Sequence, residues 1–438
     1  MRDWRPIDVT AWWRDHFTQV HRSLIIEVIM ARSPFLHPFA RPAAAAEEFI
    51  TIVRGEGALV WDDQDREYID SLASLWYCNV GHGRFAIADA VASQMAVLEN
   101  YNTFDIFTNE PAERLAAFIA AAAPVPDARV FFTSSGSEAV ETAIKLARLT
   151  HSLQGHPERN MIVGRNNAYH GVTYGGLSAQ GLPLNQEHFG PLLDPVIRID
   201  SHDLAELEAA FAEHGKRIAA VIAEPVQGAG GVYPPSAGYL ERVRELCTEH
   251  GALLIFDEVI TGFGRLGTWF AAEYYGVVPD MIAFAKGCTS GYLPLGGVVV
   301  GEAVLDVIEA DPTFILRHGF TYSGHPTACV AALENTAILL EENLFDRVPT
   351  IAEHVGGGLA RLVDQGVLTA SRGVGGIWSA VLPDGLAAPT VRNAMLERGV
   401  IARPIGASII AFCPPLVITD EQLLQCVDAL ESSIAAVS

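Results

Sequence analysis

Residues 252–291 decide the fold. They read Ala252-Leu253-Leu254-Ile255-Phe256, then Asp257-Glu258-Val259-Ile260, then Gly262-Phe263-Gly264-Arg265-Leu266-Gly267. After a spacer come Met281-Ile282-Ala283-Phe284-Ala285 and Lys286-Gly287-Cys288-Thr289-Ser290-Gly291. A short unbroken apolar run predicts a strand buried on both faces, as in a parallel sheet. Two such runs occur here. Asp257 and Glu258 follow the first, at the carboxyl end, where open α/β sheets place their ligands. Lys286 follows the second. An acid and an amine are therefore expected at the ends of two neighbouring strands.

The lysine count sharpens this. The chain carries 29 Lys plus Arg, but Lys145, Lys216 and Lys286 are its only lysines. A partly desolvated lysine can lose its proton and form a Schiff base, which arginine cannot. On its own, Lys286 reads either as a site lysine or as a strand cap reaching solvent.

The 438 residues leave room for a large α/β domain and a smaller one. A formal net charge of −23 argues against a general nucleic-acid or anionic-membrane surface, though not against a locally positive pocket. No apolar run approaches the length of a membrane span, and the first residues hold no signal-peptide core, so a cytoplasmic location is expected. Cys78, Cys247, Cys288, Cys329, Cys413 and Cys426 are scattered without a C-x-x-C pair. They predict buried thiols rather than a disulfide framework, and no metal site.

Outward from the central stretch, residues 1–48 are rich in aromatics, and residues 12–30 predict an amphipathic helix broken by the prolines that follow. This arm is expected to pack on the body or on a partner subunit. Short strands over 49–53, 58–61 and 68–70 predict a small antiparallel meander. Leu75-Trp76-Tyr77-Cys78-Asn79-Val80-Gly81-His82-Gly83-Arg84 is a loop rich in potential binding groups. Helices are expected over 87–99 and 111–122.

A strand over 129–132, the loop Thr133-Ser134-Ser135-Gly136-Ser137 and a helix over 138–149 then follow. Such a unit can form an anion-binding cup of backbone N–H groups, hydroxyls and the positive helix end. An ordinary N-cap by Ser135 or Ser137 is equally open. Strands and helices alternate onward: 161–163 before Tyr169-His170-Gly171, a helix over 204–211, 218–223 before Glu224-Pro225, and a helix over 238–250. This alternation predicts a mainly parallel sheet with helices on both faces. A helix over 327–342 leads into a smaller α+β region with short strands at 378–382 and 409–412. The expected division is an N-terminal arm with part of the small domain (1–75), a large domain (76–330) and a C-terminal small domain (331–438).

At this point the motifs carry a family resemblance. Ser135-Gly136-Ser137-Glu138-Ala139, Tyr169-His170-Gly171, Glu224-Pro225, Asp257-Glu258-Val259, Lys286-Gly287 and Thr321-Tyr322-Ser323-Gly324-His325-Pro326 occur in one order. The chain resembles the class III aminotransferases, which depend on pyridoxal 5′-phosphate (PLP) and have the α/β fold called fold type I. The resemblance runs from about residue 48 to the C-terminus.

It implies a role for each residue. Lys286 would hold PLP as a Schiff base and carry the proton of the reaction. Asp257 would pair with the pyridine nitrogen. Tyr169 would stack on one ring face and Val259 pack on the other. Ser135, Gly136 and Ser137 would bind the phosphate, and His170 would belong to the cofactor site. Thr321 would reach the phosphate of the other subunit, which implies a homodimer with its site at the interface, or a tetramer built from such dimers. Glu224 would sit near the cofactor's hydroxyl side, with a purely structural role open.

Two features bear on the substrate. Relatives acting on ornithine or 4-aminobutyrate usually carry glutamine where this chain has Ile260. Amine:pyruvate and β-alanine:pyruvate members look like this chain, with Ile-Thr-Gly-Phe-Gly-Arg. Arg403 resembles the mobile arginine of ω-transaminases, which binds the keto-acid carboxylate. A guanidinium fork suits that task, and an arginine bonding a loop carbonyl is the alternative. Trp76, Tyr77 and Phe104 would line an apolar pocket, although each is equally at home in a core.

The expected reaction moves an amino group from an amine or ω-amino acid to a keto acid, with pyruvate as the expected acceptor, by a ping-pong mechanism. Within the family the rival is a diamine, 4-aminobutyrate or β-alanine aminotransferase, with an aminomutase or racemase further off. From other classes, an inactive binding protein of this fold is opposed by the intact Lys286 and Asp257. A nicotinamide oxidoreductase is suggested by the literal G-x-G-x-x-G at 262–267. Its first glycine lies too far past the strand, behind two acids that would repel a pyrophosphate.

Overall fold

The computed structural model describes residue 33 and residues 35–438. The helix expected over residues 12–30 lies outside them. Contacts gather the chain into two compact units. One comprises the described residues up to Arg54 with Trp61–Arg66. There the Arg54 guanidinium lies 3.7 Å from the centroid of the Trp61 ring. The other comprises Gly55–Val60 and Glu67–Ser438 and holds every candidate site residue.

Three short strands come first: β1 (Ile52–Glu56), β2 (Leu59–Asp62) and β3 (Glu67–Asp70). Next come β4 (Arg129–Thr133), β5 (Met161–Arg165), β6 (Val196–Ile199), β7 (Ile218–Ala223), β8 (Leu253–Asp257), β9 (Met281–Phe284) and β10 (Gly296–Val300). These seven form one sheet in the order β4-β10-β9-β8-β7-β5-β6. β10 runs antiparallel to both of its neighbours. Every other pairing is parallel. The mainly parallel sheet is as the sequence implied.

Every residue of β7, β8 and β9 is buried. That explains their unbroken apolar runs, since helices cover both faces and leave no solvent side to alternate toward. β6 and β10 have no counterpart among the predicted strands. β10 is the glycine-led run Gly296-Gly297-Val298-Val299-Val300. Side chains are impossible at its start, because a Cβ on Gly296 would lie 2.9 Å from the Phe284 carbonyl oxygen.

Helix α1 (Gly136–Leu153) is capped by Ser135, whose Oγ accepts from the Glu138 N–H at 3.2 Å. Helices α2 (Tyr239–His250) and α3 (Pro326–Glu341) match expectation to within a residue. The C-terminal region holds an antiparallel sheet of β11 (Ala370–Val374), β12 (Ile377–Val381), β14 (Arg403–Ile405) and β15 (Ile409–Phe412), in the order β11-β12-β15-β14. The two-residue β13 (Val400–Ile401) pairs in parallel with β3. This pairing returns the chain's last quarter to its beginning. Helix α4 (Asp420–Val437) closes the chain behind a Thr419/Gln422 capping box. No helix among the described residues is long and apolar enough to cross a membrane.

Candidate active site

Register sets the first three groups side by side. Ala223 of β7 pairs with Phe256 of β8, and Asp257 pairs with Ala283 of β9. Glu224 therefore stands level with Asp257, and Lys286 follows two residues past the end of β9. All three lie at the carboxyl ends of adjacent parallel strands. Lys286 takes a left-handed backbone (φ +47°), uncommon for a residue with a side chain. The turn starts a short 3-10 segment, Lys286–Cys288.

Burial lowers the Lys286 ammonium below its ordinary value, while Asp257 and Glu224 pull it back up. Burial likewise pushes Glu224 up to about 6, opposed by His170 and by two backbone donors. Those donors are the N–H of Tyr169 at 2.8 Å and of Gly228 at 3.0 Å. Glu224 thus fastens the Tyr169 loop to the end of β7.

Asp257 is held from two sides. Its Oδ1 accepts from the Val259 N–H at 3.2 Å, and its Oδ2 lies 2.8 Å from His170 Nδ1. A carboxylate oxygen facing a ring nitrogen accepts, so Nδ1 carries the hydrogen. His170 is 1% exposed, and its Nε2 is buried without a protein partner.

Beyond β4, helix α1 begins at Gly136. A Cβ there would lie 2.8 Å from Val259 Cγ1, so only glycine lets the helix start approach the residue after the Asp257-Glu258 pair. Ser137 Oγ accepts from the Val172 N–H at 3.1 Å, and Thr173 Oγ1 donates to the Ser137 carbonyl at 3.0 Å. Glu141 Oε2 accepts from Gly175 N–H at 2.8 Å. The Tyr169-His170 loop is consequently latched to the helix that forms the cup. Gly171 is required at the crossing, with φ +88° and a Cβ position 2.5 Å from Ser137 Oγ. Ser135 serves as the N-cap, the ordinary role read from that loop.

Arg403, in β14, is half-buried, and burial lowers its guanidinium. Tyr169 opposes that shift, and Arg403 in turn opposes the rise that burial imposes on the Tyr169 phenol. Arg403 also lowers the Lys286 ammonium. Among the described residues no carbonyl or carboxylate accepts from the Arg403 guanidinium. Trp76 is 2% exposed and packs in a cluster with Val226, Ile260 and Cys413. Cys413 of this cluster is one of the groups that raise the Lys286 ammonium against burial. The Tyr77 hydroxyl accepts from Ser74 Oγ at 2.5 Å, and its ring packs on Gly291, in the loop that follows Lys286, where a Cβ would lie 2.4 Å from it.

Among the described residues no hydrogen bond, ring contact or shared cavity joins Phe104 or Thr321 to Lys286. Phe104 is 46% exposed and lines a cavity of about 530 Å³ with Phe107, Phe131, His318 and Gly319. Thr321 is exposed two residues further along that segment.

The glycine-rich loop at 262–267 is no dinucleotide loop. Phe263, Arg265 and Leu266 are all buried. Arg265 donates to Asn79 Oδ1 and, at 2.6 Å, to the Pro414 carbonyl, tying three distant loops together. Glu258 is fully buried as well. It accepts from the Ala271 and Ala272 N–H groups and from Thr261 Oγ1. Sequence reading missed these struts, together with the His170 contact and the place of Cys413. The available signals were charged residues inside otherwise apolar stretches and a cysteine at the end of β15.

A desolvated amine, a clamped acid and a glycine-started helix thus meet at one edge of the mainly parallel sheet of an α/β protein. Residues 41–434 match the family "Aminotransferase class-III", and the chain belongs to it. The putrescine–pyruvate aminotransferase of Pseudomonas aeruginosa is 36% identical over 424 residues, covering 90% of this chain and 92% of its own. The β-alanine–pyruvate aminotransferase of the same species is 36% identical over 416 residues, covering 88% and 92%. A solved (S)-enantioselective omega-transaminase from Thermomicrobium roseum superposes with a TM-score of 0.89 at 37% identity, covering 95% of this chain and 98% of its own. The fold is thus the fold type I architecture of PLP-dependent transferases, and the chain is an aminotransferase.

Proposed function

We propose that this aminotransferase uses PLP to move the amino group of an apolar primary amine to a keto acid, with pyruvate as the acceptor. The observation that carries the reading is the alignment of Glu224, Asp257 and Lys286 on adjacent strand ends, with the Arg403 guanidinium, unpartnered among the described residues, acting on Lys286. The donor set fits the cofactor. Lys286 supplies a desolvated amine, Asp257 an acid for a ring nitrogen, and Gly136 and Ser137 a cup for a phosphate. The Gly136 start leaves no space for a Cβ against Val259, and Val259 would support one face of the ring.

PLP would supply an electron-accepting ring for amino-group transfer. Lys286 Nζ would hold the cofactor and, once released, would move the proton at the substrate carbon. Asp257 would keep a proton on the ring nitrogen, and His170 keeps the Asp257 carboxylate turned. Arg403 binds the keto-acid carboxylate in a bidentate fork. The cluster of Trp76, Val226, Ile260 and Cys413 gives the amine an apolar wall and excludes water.

We further infer a homodimer in which Thr321, and Phe104 beside it, serve the partner's site. The exposure of both, on a segment apart from Lys286, supports this. A diamine reading draws on the putrescine–pyruvate relative. The apolar wall speaks for the amine, since a distal ammonium buried there would lie unpaired.

A half-reaction on PLP-loaded protein tests the proposal. Loss of the bound-cofactor absorbance is followed on adding 1-phenylethylamine, β-alanine or putrescine. Fast loss with 1-phenylethylamine is the expected result. Loss only with β-alanine or putrescine would transfer the assignment to those substrates.

A further inference from the structure

We propose that His318, bonded to Lys145 and Thr142, is the positioning residue that fixes the Thr321-bearing segment to helix α1 and so presents Thr321 to the partner's site, so that cofactor retention depends on the His318 proton. The proposal rests on the PLP reading above.

Lys145 Nζ lies 2.9 Å from His318 Nδ1, and Thr142 Oγ1 lies 2.9 Å from His318 Nε2. An ammonium can only donate. Nδ1 therefore presents its lone pair to Lys145, and Nε2 carries the hydrogen and donates it to the Thr142 hydroxyl. Both partners belong to α1, whose first residues form the cup. The ring also stacks on Phe131 of β4, the strand leading into the cup, with centroids 5.3 Å apart and planes within 6°. Phe320 meets it edge-on at 5.3 Å. One imidazole thus joins the helix and the strand of the cup to residues 314–320, which belong to no helix or strand. Thr321 is the next residue.

Protonation would place a hydrogen where Lys145 now donates, and two cations in contact. The Lys145 bond would be lost, leaving the Thr142 bond as the ring's one hydrogen bond to α1, and the segment would be held less firmly. Other charges face the ring from every side. Glu141 and Arg148 share α1 with Lys145. Arg317 and Asp311 line one flanking cavity, and Asp105 and Glu113 line the other. Burial and Lys145 lower the His318 value, with Glu141 opposing. The geometry and the charge balance therefore favour the same neutral form.

The test reads the fraction of bound-PLP absorbance that survives desalting, from about pH 5 to about pH 9, in wild type, His318→Gln and Lys145→Met. Glutamine can still accept from Lys145 and donate to Thr142 but does not titrate. Wild-type retention should fall on acidification, and His318→Gln should flatten that fall. Lys145→Met lacks the bond that protonation breaks, so its retention should lie near the acid level of the wild type across the whole range. Ionisation of the cofactor phosphate is common to all three proteins and cancels in the comparison. A merely structural role would lower retention by the same factor at every pH, and a shared midpoint would overturn the proposal. Lys145 is exposed, so its variant keeps the test open should His318→Gln not fold. A wild type that holds no PLP at any pH would instead sink the cofactor reading itself.

Discussion

His170 Nδ1 stands 2.8 Å from Asp257 Oδ2, with both residues buried. The histidine therefore acts on the reaction through the acid. His170→Phe keeps the bulk and removes the donor, so Asp257 is left with one fewer anchor. The half-reaction rate constant should fall roughly 10–100-fold, about 1.4–2.7 kcal/mol in the barrier. Cofactor binding should change less than the rate. An unchanged rate constant in stopped-flow would show that Val259 alone orients Asp257.

Lys286 should announce its desolvation through pH. Uptake of PLP by the apoprotein needs the neutral amine, so its rate should climb with pH and level off below the ordinary lysine value of about 10.4. Asp257 opposes the lowering, so Asp257→Asn should move the plateau to still lower pH. A plateau at or above the ordinary value would contradict the burial argument. Lys286→Ala should lose both turnover and the absorbance of the attached cofactor.

Arg403 has no internal acceptor among the described residues. Arg403→Ala should raise KM for pyruvate by roughly 10–100-fold, in line with about 1.5–3 kcal/mol for a charged hydrogen bond. KM for 1-phenylethylamine should stay within about twofold. Equal effects on both substrates in steady-state kinetics would remove its carboxylate role.

Glu258 holds the segment Ala271–Tyr275 by accepting two backbone N–H groups, one on each oxygen. Glu258→Gln turns one acceptor into a donor facing an N–H and should destabilise the protein by roughly 1–3 kcal/mol. Burial raises the Glu258 carboxyl from 4.5 to about 7. The folded state then binds its proton more tightly than the unfolded state, so its contribution to stability falls as pH rises between those values. The deficit of the Gln variant, measured by thermal unfolding, should accordingly be larger near pH 5 than near pH 8. A deficit that grows with pH would reverse the sign.

Much of the site was legible in the sequence. The apolar runs marked β7, β8 and β9 because a strand covered on both faces has no polar alternation to hide it. Asp257 and Lys286 stood out because each breaks such a run at its carboxyl end. The Ser135-Gly136-Ser137 loop announced a helix start by its residue types alone. β6 and β10 passed unread, β10 because its paired glycines look like loop until the approach of Phe284 explains them.

Local pattern determined which residues end strands and start helices, since those choices depend on neighbours along the chain. Only the tertiary structure decided which ends meet. Strand register set Glu224 beside Asp257, and loop crossings brought His170 to Asp257 across 87 positions and His318 to Lys145 across 173. Hydrogen bonds between such distant residues leave no periodic trace in a single sequence. Their energy depends on burial and on the charge of every group nearby, and both come into being only when the sheet and its helices have packed.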